Sequence, residues 1–169
     1  RMGFIVGMPR SGTTLAESIF LRHPDVATLG ETHALAECLA QWNQSRKGKE
    51  KWQAIRSIDG AMAGRLRALY LSVAGRAQGG ASPQVLIDKT PLNALHLGFA
   101  RAIFPDCRFI HMSRHPLDLG VSNFGTSFSE AFIQANPFLK SLAHIGHFSR
   151  IVQDSVEDYQ AKLGGTIRV

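Results

Sequence analysis

Cysteine is scarce: Cys38 and Cys107 are the only two, far apart and in no C-x-x-C spacing. They read as buried free thiols in a reducing compartment. Long apolar runs are missing as well. None approaches the roughly 18 residues of a membrane span, so none is expected. The opening Arg1-Met2-Gly3-Phe4 does not read as a signal peptide, because a strand is expected almost at once. A basic stripe with interleaved aromatics is also absent, which argues against nucleic-acid binding. The one basic cluster, Arg46-Lys47-Gly48-Lys49-Glu50-Lys51, reads as a solvated surface loop. His111 with His115, and His144 with His147, have the spacing of one helix face. The first pair straddles a strand end, however, and no third ligand is evident, so no metal is expected.

What is present is an ordinary globular composition, 44% hydrophobic and 19% charged in 169 residues, enough for one domain with a real core. The formal charge of +6 favours anionic ligands. The chain opens inside its first strand and closes on Thr166-Ile167-Arg168-Val169, which also looks like a strand. We therefore expect residues 1–169 to be a single partial domain, truncated at both ends. The free thiols are those expected of a cytoplasmic protein.

The organising stretch is Phe4-Ile5-Val6-Gly7-Met8-Pro9-Arg10-Ser11-Gly12-Thr13-Thr14-Leu15. A short apolar run enters a loop with two glycines, and a helical pattern follows with Leu15, Ile19 and Leu21 as apolar positions. Strand, loop and helix in that order make an anion cradle, because the first N–H groups of a helix have no partners within it. The helix dipole adds partial positive charge at the same place. Gly7 and Gly12 have the spacing of the nucleotide loop G-x-x-x-x-G-K-[ST], but Thr13 stands where its lysine belongs. The positive charge has moved to Arg10, whose planar fork of donors suits phosphate or sulfate oxygens. An anion bound without a metal is expected.

Along the chain, Val26 to Leu29 reads as a strand, and a helix carrying Leu35, Leu39 and Trp42 follows Gly30-Glu31-Thr32-His33. From about Lys51 to Gln78 the pattern is helical, with Met62, Leu66, Leu69 and Val73 on one face and Arg65, Arg67 and Arg76 mostly off it. Gly79 to Pro83 is a break. Val85-Leu86-Ile87 is a strand ending in Asp88-Lys89-Thr90-Pro91. A helix follows through Leu95, Phe99 and Ile103, stopped by Pro105. Arg108 to Met112 is the next strand, ending in Ser113-Arg114-His115-Pro116, and a helix starts near Leu117. Asn123 to Pro137 reads as a loop over the site. A long amphipathic helix then runs from Leu142 to Leu163 and ends at Gly164-Gly165.

Strands alternating with helices predict an α/β fold, a P-loop-like parallel sheet with helices on both faces. All strand C-terminal ends then fall on one edge, where such sheets bind ligands. Arg10 follows the first strand, Glu31 the second, Lys89 the third and Arg114 the fourth, so charge is delivered to a single rim.

These residues resemble a sulfotransferase that uses 3′-phosphoadenosine 5′-phosphosulfate (PAPS). Pro9-Arg10-Ser11-Gly12-Thr13-Thr14 is similar to that family's 5′-phosphosulfate loop. Arg114 and Ser122, eight residues apart after a strand, resemble its 3′-phosphate pair. The order Pro9 to Leu15, His23-Pro24-Asp25-Val26, Gly30-Glu31-Thr32, Asp88-Lys89-Thr90-Pro91 and Phe104-Pro105 looks most like tyrosylprotein sulfotransferases and bacterial relatives that carry tetratricopeptide repeats. The likeness covers roughly residues 3 to 125. It implies PAPS as co-substrate and the adenosine 3′,5′-bisphosphate as product. It also implies a hydroxyl-bearing acceptor (peptide tyrosine, sugar or small phenol) and, in the full-length protein, further domains such as tetratricopeptide repeats.

In the implied chemistry the enzyme aligns acceptor and leaving group and stabilises oxygen charge. Glu31 is the general base, and His33, whose side-chain type titrates near neutrality, is its rival. Lys89 donates to the bridging oxygen as the bisphosphate departs, with Arg10 stabilising the same charge. Ser11, Gly12, Thr13 and Thr14 hold the 5′-phosphate, and Arg114 with Ser122 the 3′-phosphate. Two other classes compete. A P-loop nucleotide kinase would require ATP and Mg²⁺ and lacks its lysine here. A non-catalytic nucleotide-binding module would keep the binding and lose the turnover.

Overall fold

The structure is a computed structural model that describes residues 1–45, 55–75, 78–79, 83–163, 165 and 167–168. The basic cluster at 46–51, the helix start near Lys51, Arg76, and the expectations on Gly80 to Ser82, Gly164, Thr166 and Val169 lie outside those residues. The strands are β1 (Met2–Gly7), β2 (Val26–Gly30), β3 (Gln78–Gly79), β4 (Val85–Asp88), β5 (Arg108–Met112) and β6 (Ile167–Arg168). They form one sheet in the order β3-β2-β4-β1-β5-β6. Five strands are parallel; β3 runs antiparallel, pairing Gly79 with Ala27 and Gln78 with Thr28. The sequence reading placed Gln78 in a helix and Gly79 in a break. A two-residue edge strand leaves no periodicity to read.

Alternation along β1 sorts the core into two layers. Phe4 and Val6 face the larger cluster, where Phe4 stacks on Phe109 of β5 with ring centroids 5.5 Å apart. That face is covered by α2 (Ala34–Ser45), α3 (Gly60–Ala74), α4 (Leu97–Ile103) and α7 (Leu142–Leu163), through Leu35, Leu66, Phe99 and Val152 among others. Ile5 faces the other way and packs with Val26, Ile87 and Ala16 of α1 (Thr13–Phe20). Each fully buried Phe or Ile contributes roughly 1.5–3 kcal/mol. Helices on both faces are as expected, but α1 is turned differently from its apolar pattern. Leu15 and Ile19 are exposed, and the buried positions are Thr13 and Ala16.

Three further helix boundaries differ. α3 starts at Gly60, because the Asp59 carboxylate accepts the Met62 N–H at 2.7 Å and caps the helix there. The helix expected through Leu95 is a 3₁₀ segment, Pro91–His96, running into α4. The segment expected as a loop from Asn123 belongs first to α5 (Pro116–Phe124). It then carries α6 (Glu130–Ala135), capped by Ser129, and a 3₁₀ turn at Pro137–Lys140. Among the described residues no helix is long and apolar enough to cross a membrane.

Chain direction sets the ligand edge. The connection after β1 runs to β2 on one side, and that after β5 runs to β6 on the other. The C-terminal ends of β1 and β5 therefore flank the point where the sheet's connections diverge, the usual ligand crevice of such sheets.

Candidate active site

The β1–α1 loop is strained and stapled. Gly7 has φ 150° and Gly12 φ 101°, and a Cβ on Gly7 would stand 2.5 Å from the Met112 carbonyl oxygen. Arg10, with φ 68°, is the only non-glycine residue with positive φ among the described residues. A left-handed arginine costs of order 1–3 kcal/mol and persists only where its surroundings enforce it. Here the enforcement comes from two directions. Asn123, 1% exposed, donates through Nδ2 to the Pro9 carbonyl at 2.9 Å. Arg114 Nη1 donates to the Arg10 carbonyl at 3.2 Å, and Arg10 Nε donates to Ser122 Oγ at 3.3 Å. The loop after β1 and the helix after β5 are thus one unit. Helix α1 begins at Thr13, after Gly12, with no side-chain cap and no acid in its first turn, so its first amides remain free donors.

A cavity of about 420 Å³ opens over this loop. It is lined by Arg10, Gly12, Thr13 and Thr14, by Glu31 and Thr90, by Arg114, and by Phe128 and Phe132. The two phenylalanines are stacked at 5.0 Å and come from the segment that the sequence left as a loop. A larger cavity of about 900 Å³ lies on the α1 face, lined by Ile5, Phe20, Val26, Ile87 and Ile110, and contains none of the rim charges after the strands. The smaller cavity is the candidate site, because it lies at the C-terminal strand ends and gathers those charges.

Glu31 and Lys89 meet directly, Nζ to Oε1 at 2.5 Å. Their segments are tied together: Lys89 N–H donates to the Gly30 carbonyl at 3.0 Å, and the Thr90 hydroxyl both accepts from Thr32 N–H and donates to its carbonyl. The Glu31 side chain is 57% exposed and that of Lys89 only 8%. Lys89 therefore reaches Glu31 from within the protein, while Glu31 faces the cavity. His33 is exposed and is not among the cavity's lining residues, which leaves Glu31 as the base candidate there.

Behind Lys89, Asp88 is fully buried. Its Oδ2 accepts the Tyr70 hydroxyl at 2.5 Å and Asn93 Nδ2 at 3.1 Å. Burial pushes its carboxyl up to about 6, against the hydrogen bonds from Thr90, Tyr70 and Asn93 that hold it down. The same burial holds His111 below its ordinary range. Cys38 and Cys107 are free and buried, as expected, and desolvation pushes them up to about 11 and about 12. No cluster of three metal-binding side chains occurs among the described residues.

The structure therefore joins Arg10, Ser11, Gly12, Thr13, Thr14, Arg114 and Ser122 in one loop-and-helix unit, with Glu31 across the cavity and Lys89 behind it. Ser11, however, is buried, its hydroxyl without a partner among the described residues. Three residues escaped the sequence reading: Asn123, which looked like the start of a loop, and Glu17 and Thr28. Glu17 carried a signal, lying one turn after Thr13 and so on the same helix face as the loop.

The profile of the sulfotransferase family matches residues 4–164. The chain belongs to this family. It is 32% identical over 169 residues to an uncharacterized protein of Aquifex aeolicus, a match covering 97% of this chain and 22% of that protein. Protein-tyrosine sulfotransferase 1 of Danio rerio is 32% identical over 114 residues, covering 66% of this chain and 32% of the relative. The human protein of that name is 30% identical over a similar stretch, 66% and 30%. The chain thus spans less than a third of the length of these curated relatives. Among solved structures, the sulfotransferase domain of the Synechococcus PCC 7002 olefin synthase superposes with a TM-score of 0.57 at 19% identity, covering 98% of this chain and 64% of that one. Sulfotransferase STF9 of Mycobacterium avium gives 0.55 at 15% identity, covering 99% and 57%. Both establish the sulfotransferase fold, P-loop-like, as the sequence led us to expect.

Proposed function

We propose that this member of the sulfotransferase family moves the sulfuryl group of PAPS to a hydroxyl acceptor by in-line displacement without a metal. The observation that carries the reading is the joining of Arg10 and Arg114, from the ends of adjacent strands, beside one cavity that Glu31 also lines. A nucleotide phosphorylated at both ends of its ribose needs two cationic groups on one rim. A nucleoside triphosphate would instead want the lysine that Thr13 replaces.

In this reading the free amides of Gly12 to Thr14 and the threonine hydroxyls hold the 5′-phosphosulfate, with Ser11 shaping the loop through its backbone. Arg114 and Ser122 take the 3′-phosphate. Glu31 accepts the acceptor's proton as the acceptor oxygen bonds to sulfur. The bond from sulfur to the bridging oxygen breaks in the same step, and the electron pair leaves with adenosine 3′,5′-bisphosphate. Arg10 stabilises the departing charge. Lys89 donates to the bridging oxygen, which requires its bond to Glu31 to loosen when the substrates bind. The stacked Phe128 and Phe132 form one wall of the cavity, so the acceptor approaches past an apolar face. The two buried free thiols support a reducing, cytoplasmic setting.

Calorimetric titration of the full-length protein with adenosine 3′,5′-bisphosphate and with Mg-ATP tests the class. Binding of the first alone is expected, and the reverse selectivity points to a kinase. Glu31→Ala should abolish transfer from PAPS while preserving bisphosphate binding. Arg114→Ala should weaken the bisphosphate more than adenosine 5′-phosphosulfate, which lacks the 3′-phosphate. Bisphosphate binding by a wild-type protein with no turnover makes the chain a binding module.

A further inference from the structure

Glu17 is a nearly buried carboxylate for which the proposed chemistry has no use. It lies on the inward face of α1, and its side chain is 12% exposed. Thr28 of β2 donates its hydroxyl to Oε1, while Oε2 stands 3.8 Å from Lys89 Nζ. Thr28 is itself buried and also accepts the Gly30 N–H at 2.9 Å, which fixes the chain just before Glu31. Lys89, at the end of β4, is thus flanked by two carboxylates, Glu31 at 2.5 Å from the end of β2 and Glu17 at 3.8 Å from α1. An acid on the buried face of a helix is costly unless paired. The neighbouring buried positions of α1, Thr13 and Ala16, show that packing alone is met there by small uncharged side chains.

We propose that Glu17 is a positioning residue, acting through Lys89: it keeps the ammonium in place and counter-charged at the moment Glu31 is neutralised. The proposal rests on the reading of Glu31 as base and Lys89 as donor to the leaving group. When Glu31 takes the acceptor's proton, its pairing with Lys89 fails. Without Glu17, Lys89 would then be a buried cation with no counter-charge, and the step that neutralises Glu31 would be opposed. With Glu17 fixed by Thr28, Lys89 stays charged, loses only its bond to Glu31, and is released toward the bridging oxygen. The two carboxylates divide the work: the exposed one exchanges a proton with the acceptor, and the enclosed one does not.

The test is a double-mutant cycle in the full-length protein. It is read as the release of adenosine 3′,5′-bisphosphate from PAPS with 2-naphthol, N-acetyltyrosine amide and glucose together as probe acceptors. Glu17→Gln is expected to lower kcat about 10–100-fold, the loss usual when the partner orienting a functional group is removed. The KM for PAPS and the affinity for the bisphosphate should remain within about twofold, since the donor contacts are untouched. In a Lys89→Met background the same substitution should change kcat by less than about twofold, because a residue that acts through another is not additive with it. Equal losses in both backgrounds, or an unchanged kcat in the single variant, overturn the proposal. Should Glu17→Gln fail to fold, Thr28→Val removes only the hydroxyl that orients Glu17. It should lower kcat several-fold in the wild-type background and not in Lys89→Met; any other pattern overturns the proposal. A wild-type protein that binds the bisphosphate without turnover, or turnover that survives Glu31→Ala, overturns the underlying reading and Glu17's role with it. Loss in Glu31→Ala beside an unaffected Glu17→Gln overturns the role of Glu17 alone.

Discussion

Replacing Asp88 by asparagine should stabilise the protein at neutral pH and remove a pH dependence that the wild-type fold carries. The carboxyl lies fully buried at the end of β4, and its proton affinity rises from the ordinary 3.8 to about 6 on folding, chiefly through burial. A group whose pKa is raised in the folded state holds its proton there while the unfolded chain has already released it. Its contribution is therefore most favourable below about pH 4, is lost as pH rises through about 6, and stays lost above. At about 1.36 kcal/mol per pH unit, the span from 3.8 to about 6 amounts to about 3 kcal/mol. Asparagine keeps an oxygen for the Tyr70 hydroxyl and for Asn93 Nδ2, both of which now reach the same Oδ2, and it carries no charge. Urea unfolding of the wild type and Asp88→Asn at a series of pH values from 4 to 8 gives the difference directly, and other titrating groups cancel in it. The wild type should lose about 2–2.5 kcal/mol relative to the variant between pH 4 and 7, with most of the change falling between pH 4 and 6. A difference that is flat with pH, or that grows in favour of the wild type as pH rises, refutes the argument that desolvation dominates at Asp88.

Gly7→Ala should lower Tm by roughly 5–15 °C. The new Cβ meets the Met112 carbonyl at 2.5 Å and Ser11 Oγ at 2.9 Å on a backbone that L-residues avoid, costing about 2–5 kcal/mol at about 2–4 °C per kcal/mol. A scanning calorimeter decides it, and an unshifted Tm would mean that the loop does not pack as described. Asn123→Ala leaves the buried Pro9 carbonyl without its donor. Bisphosphate affinity by calorimetry should fall about tenfold, equivalent to about 1.4 kcal/mol, as the loop loses its anchor. Cys38 and Cys107, pushed up to about 11 and about 12 by burial, should resist a thiol-specific chromogenic disulfide at pH 8 in the native protein. Both should react at once in denaturant.

The parts of the fold legible in the sequence were those with local causes. Phe4 to Val6, Val85 to Ile87 and Arg108 to Met112 are apolar runs bounded by turn residues, and each is a strand within one or two residues. The rim charges followed from that, since parallel strands put their ends on one edge. What could not be read has non-local causes. The outward turn of Leu15 and Ile19 on α1 reverses the usual rule because Thr13, Ala16 and Glu17 are claimed by the loop, the sheet and Lys89. Asn123 has no sequence signal: its value lies in reaching Pro9, 114 residues away in the chain. Glu31 and Lys89 were each expected at the site, but their direct bond depends on β2 and β4 lying side by side, which no pattern in either segment encodes.

The same non-local wiring changes how the two cationic groups should be understood. Read from the sequence, Arg10 and Arg114 are separate grips for the two ends of a nucleotide. In the fold, the Arg114 guanidinium is part of what holds the Arg10 backbone in its left-handed turn, and Ser122, expected beside Arg114, bonds to Arg10 instead. Arg10 makes no ion pair among the described residues, and the only one Arg114 makes is a long, exposed contact to Asp118 at 3.8 Å. Both line the same cavity, where so little counter-charge leaves a positive field that favours an anion. The left-handed turn at Arg10 and the sparsely paired charge at the rim are thus two aspects of one arrangement, since the guanidinium of Arg114 that contributes the charge also fixes the Arg10 carbonyl.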